Sequence, residues 1–137
     1  MKNSLTSKPK NRRGATMVEF AIVAPIVFFL FFTAFEFSRV AMIRHTADNA
    51  VYEAARRAIL PGASAADARQ EAQQILNSLG LRNTSVDITP TVIRPTTRDV
   101  TVQIAVPLDS NSFVPNQFFG GETIRTQLTM RREGNRP

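Results

Sequence analysis

Few side chains in this 137-residue sequence are suited to chemistry. There is one histidine, His45, and no cysteine, so neither a Cys–His pair nor a thiolate metal site can be assembled. His45 has Asp48 and Asn49 within about a turn, a spacing that could bind a metal; a solvated histidine near a membrane surface is the preferred reading. Asp87, Asp99 and Asp109 fall on or beside alternating stretches and read as solvated strand ends rather than a general acid–base pair. No GxSxG, HExxH, GxGxxG or P-loop spacing is present. The expectation is a protein that is not an enzyme, with no cofactor, metal or small-molecule substrate. Two other carboxylates, Glu19 and Glu36, stand out because they lie in an apolar run, where a charge costs about 2.5–3.5 kcal/mol.

That run is the element the rest must be built around. From Ala15 to Phe37 the only charges are Glu19 and Glu36, and seven of the ten phenylalanines fall here. As a helix this stretch would rise about 35 Å, enough to cross a hydrocarbon core of about 30 Å. Pro25 sits inside it and predicts a kink, because it lacks an N–H. A secretory signal would need small residues at −1 and −3 of a cleavage site, and none is suitably placed between Thr33 and His45.

Charge sets the expected orientation. The chain carries a net charge of +6, of which Lys2, Lys8, Lys10, Arg12 and Arg13 supply +5 ahead of the span. The flank after the span has Arg39 and Arg44. Positive residues stay cytoplasmic, so residues 1–14 read as a basic cytoplasmic leader, 15–38 as the transmembrane helix and 39–137 as an extracytoplasmic domain. The high basicity belongs to the leader, which argues against nucleic-acid binding.

The residues around Glu19 carry a resemblance. Arg12-Arg13-Gly14 followed by Ala15, Val18, Glu19, Phe20 and Ala21 is similar to the type IV prepilin processing site. With Pro25, Glu36, Phe37 and Arg39, then Ala54, Ala55 and Arg56, it resembles the TadE-like family of pseudopilins over roughly residues 12–58. The resemblance implies a minor structural component of a Tad-type pilus assembly or secretion system in the cytoplasmic (inner) membrane. It implies cleavage by a prepilin peptidase between Gly14 and Ala15. It also implies pairing of Glu19, beside Phe20, with the new Ala15 amine of a neighbouring pilin-like subunit. Other Tad assembly proteins would be the further partners. The alternative is an unprocessed single-pass anchor whose outer domain binds a protein or cell-envelope partner. Glu36 reads either as a residue at headgroup level or as one half of an intersubunit pair with an arginine such as Arg39 or Arg44.

Beyond the span the pattern predicts an α+β domain. Val40, Ile43, Ala47, Ala50, Val51, Ala54 and Ala58 continue the helical period over 39–60, until Pro61-Gly62 stops it. Ala50, Ala54 and Ala58 form a small-residue ridge on which the sheet is expected to pack. A second helix is predicted over 64–79, opened by Ser64 with Asp67 and closed by Gly80. The period then changes to two, predicting antiparallel strands near 85–93, 98–108 and 122–131, with Pro90 marking an edge or bulge. The loop between the last two carries Phe113, Phe118 and Phe119, which either form an exposed contact patch or, the preferred reading, fold back onto a small core.

Overall fold

Unbroken helical periodicity carries the first helix, α1, from Arg12 to Ile59. The computed structural model describes residues 12–113 and 121–132, with side chains from Gly14 onward. Most of the leader, Phe118 and Phe119 in the loop, and residues 133–137 lie outside the described residues. The chain forms two units that divide between Phe35 and Glu36.

The described residues of the first unit are helical, and their apolar side chains face outward: Phe20, Phe28, Phe29, Phe31 and Phe35 are all exposed. No residue of the most apolar 18-residue window is buried against protein. By length and composition this helix is long and apolar enough to cross a membrane. Pro25 lies inside the helix and leaves the Ala21 carbonyl without its usual donor. The Thr33 hydroxyl is satisfied locally, donating to the Phe29 carbonyl at 2.9 Å.

The second unit is α+β. After α1 come α2 (Ala65–Ser78) and strands β1 (Ser85–Thr89), β2 (Asp99–Pro107) and β3 (Thr123–Arg131), with a short 3-10 turn at Leu108–Ser110. Ser64 and Asp67 form the expected capping box. The Ser64 N–H donates to Asp67 Oδ2 at 2.9 Å, and the Asp67 N–H donates to Ser64 Oγ at 3.2 Å. At the other end Gly80 adopts φ +68, and the N–H groups of Gly80 and Leu81 return to the carbonyls of Asn77 and Leu76. This is the closure that a left-handed residue after a helix permits, and it buries Leu81 near Leu76 in the core.

The sheet is antiparallel with order β1-β2-β3. The register aligns Ile88, Val102 and Leu128 across one row, and Val86, Ile104 and Thr126 across another. Val100, Val102, Ile104 and Val106 are fully buried and share one core with Ala50, Ala54, Ala58, Ala68, Ala72 and Leu76 from the two helices. Each buried branched side chain contributes about 1.5–3 kcal/mol relative to exposure. On the opposite face Thr101 and Thr129 share a 2.8 Å hydroxyl contact, and Arg131 pairs with Asp99 at 3.0 Å.

The first strand is shorter than expected. It ends at Thr89 instead of running to residue 93, because Pro90 has no N–H for the ladder. Val92, which the alternation placed in the strand, is instead 63% exposed in the following loop. Thr126 interrupts the apolar inner face of β3, and the fold explains it: its hydroxyl donates to Asp48 Oδ1 on α1 at 2.8 Å.

Candidate functional site

The carboxylates that the sequence singled out meet different fates. Glu19 is exposed on a helix whose neighbours Met17, Val18, Phe20 and Ile22 are exposed apolar residues. Among the described residues no hydrogen bond or ion pair holds it. Gly14 and Ala15 lie in the first turns of α1, and both are exposed.

Glu36 is the reverse case. It is only 6% exposed, buried by its own chain. Its Oε2 accepts the backbone N–H of Phe113 at 3.1 Å, while Oε1 is buried with no donor among the described residues. Arg39, one turn on, serves the same segment. Its Nε donates to the Asn111 carbonyl at 3.2 Å, and its guanidinium lies 5.5 Å from the centre of the Phe113 ring. Both members of the expected intersubunit pair are thus engaged with residues 111–113 of their own chain.

Asn111 is the residue that sequence reasoning missed. It is 6% exposed and fully used. Its Nδ2 donates to the carbonyls of Arg82 and Pro107 at 2.9 and 2.7 Å, and its Oδ1 accepts the Arg82 N–H at 2.7 Å. It ties the loop after α2 to the end of β2 and presents its own carbonyl to Arg39. An asparagine in a run of Asp, Ser and Asn reads as an ordinary turn residue, so nothing local marks it as buried. Phe113 departs from the preferred expectation: it is 60% exposed rather than folded onto the core. Its backbone is committed to Glu36, and its ring is left outside under Arg39.

The remaining candidates do not converge. His45 is exposed on the wall of an open groove of about 500 Å³ between α1 and α2, shared with Met42, Thr46, Asn49 and Ile75. Asp48 is spent on Thr126, and no cluster of three His, Asp or Glu side chains suited to a metal occurs among the described residues. Asp99 is paired with Arg131, and Asp109 accepts the Gly121 N–H at 3.3 Å. Asp87 is exposed in β1. Ala50, Ala54 and Ala58 are each fully buried. Asp67 has a shifted carboxyl. The Ser64 backbone N–H first, and the Ser64 hydroxyl second, hold its carboxyl below the usual carboxylate value.

The described residues thus comprise a helix long and apolar enough to cross a membrane, leading into a small α+β unit. Residues 14–56 match the family model described as TadE-like protein. That is the family the motif around Glu19 resembles. No curated protein and no solved structure matched the chain.

Proposed function

We propose that this chain is a minor, pseudopilin-like structural component of a Tad-type pilus assembly or secretion system. In this reading it sits in the cytoplasmic membrane with its N-terminus inside and its α+β domain outside. A prepilin peptidase cuts it between Gly14 and Ala15, and Glu19 pairs with the freed amine of a neighbouring subunit. The family match over residues 14–56, which begins at Gly14, supports the class.

The observation that carries the cleavage site is that the fold has no use for Gly14. A Cβ built there would meet nothing within 4 Å, and its φ is not in the left-handed region. Glycine within a helix costs about 0.5–1 kcal/mol relative to alanine, so nothing in the folded chain favours it over alanine. A peptidase pocket that admits only the smallest residue, with Arg12 and Arg13 just before it, supplies a reason. Intact-mass measurement on the native protein, in cells with an active prepilin peptidase, tests the reading. The expected species begins at Ala15, and Gly14→Phe keeps the leader. A native protein that still carries its first fourteen residues overturns it in favour of an uncleaved anchor.

A further inference from the structure

We propose that the end of the α+β unit where α1, the loop after β1 and β3 close together is a docking surface for an acidic, partly apolar segment of another protein. Three stretches far apart in sequence are drawn together there. The Arg132 N–H donates to the Arg98 carbonyl at 2.8 Å. Its guanidinium donates to the Arg94 carbonyl at 2.8 Å and to the Leu60 carbonyl at 3.5 Å. Arg94, Arg98, Arg131 and Arg132 therefore meet at one place.

Their charge is left largely uncancelled. Arg131 pairs with Asp99 at 3.0 Å. Among the described residues no carboxylate pairs with Arg94, Arg98 or Arg132. The loop is built on the backbone carbonyls of Arg94 and Arg98, and both residues are exposed. Like charges gathered without a counter-charge repel one another, so the isolated chain gains nothing from this arrangement. A partner that brings carboxylates would offset it. Outside the leader every basic residue is arginine, whose planar fork takes a carboxylate through two parallel hydrogen bonds.

Apolar side chains stand among these guanidinium groups. Val92 is 63% exposed and Leu60 43% exposed. An open groove of about 390 Å³ lies beside them, walled by Val92, Ile93, Pro95 and Arg132 and by the start of α2 at Ala65 and Ala66. No aromatic ring lines this groove, so a nucleic-acid base has nothing to stack on. A polyphosphate would leave Val92 and Leu60 bare. Acidic and apolar side chains on one peptide satisfy both features.

The surface uses residues of the α+β unit alone, so neither cleavage after Gly14 nor pairing of Glu19 bears on it. The probe is a fluorescein-labelled decapeptide of alternating glutamate and leucine, titrated by anisotropy against the full chain in detergent. An all-glutamate decapeptide and inorganic polyphosphate are run alongside. The glutamate–leucine probe is expected to bind tightest. Arg94→Glu combined with Arg98→Glu is expected to weaken it by about tenfold or more, and Val92→Ser by several-fold. Both charge reversals spare the backbone carbonyls that hold the loop, and an unchanged thermal midpoint confirms the fold. Equal binding of all three probes, indifferent to Val92→Ser, overturns the proposal in favour of a general polyanion surface. Binding that survives the charge reversals but is lost when Lys2, Lys8, Lys10, Arg12 and Arg13 are changed to glutamine overturns it too, because the leader then holds the probe. So does a glutamate–leucine probe that fails to bind at all.

Discussion

Glu36 on α1 accepts the backbone N–H of Phe113 at 3.1 Å, across 77 positions of sequence. The first residue of the α+β unit thus fastens the loop that follows β2. Replacing Glu36 tests how far that fastening matters. Glu36→Ala leaves the Phe113 N–H without its acceptor, at a cost of about 1–3 kcal/mol, and Glu36→Gln costs less because an amide oxygen can still accept. Chemical unfolding of the detergent-solubilised chain checks the order. An alanine variant as stable as the glutamine variant would show that the bond contributes nothing.

Asn111 is expected to be the more sensitive position. Asn111→Ala removes the partners of the Arg82 N–H and of two carbonyls at once, for about 2–4 kcal/mol. Asn111→Asp removes both donors and turns an anionic oxygen toward the carbonyls of Arg82 and Pro107, so it is expected to be no milder. Amide exchange at residues 82 and 111–113 should accelerate in both variants.

The ridge on α1 has no free space. Ala54 is fully buried in the core that also holds Val102 and Ile104, so Ala54→Leu overpacks it by about 1–3 kcal/mol. The thermal midpoint of the full chain is expected to fall, and an unchanged midpoint would refute the claim.

Asp67 carries a pH dependence whose sign follows from its hydrogen bonds. Its folded pKa lies below the ordinary carboxylate value, chiefly because the Ser64 N–H donates to the carboxylate. The stabilisation is therefore present above that value and is lost as the pH falls through the lower folded value. Asp67→Asn should flatten this part of the acid unfolding curve while leaving the neutral baseline shape unchanged.

Glu19 is expected to matter for assembly alone. Glu19→Ala and Glu19→Gln should insert into the membrane and keep the same processed mass, because the glycine carries the cut. Crosslinking to other pilin-like subunits should drop in both, since a desolvated amine left without its counter-charge costs a few kcal/mol. Wild-type crosslinking in both variants would make Glu19 a passive interfacial residue.

The sequence by itself determined what depends on near neighbours. The run to Ile59, the Ser64–Asp67 box, the closure at Gly80 and the alternation of Val100 through Val106 are signals contained within a few residues, because helices and strands repeat every 3.6 and 2 positions. Tertiary structure alone decided the fate of Glu36, Arg39, Asp48 and Asn111. Arg39 meets Asn111 across 72 positions and Asp48 meets Thr126 across 78, so no local pattern could pair them. Phe113 shows the reason most clearly. Hydrophobicity alone favours folding its ring inward, but its backbone N–H is captured by the buried Glu36, and that bond leaves the ring outside.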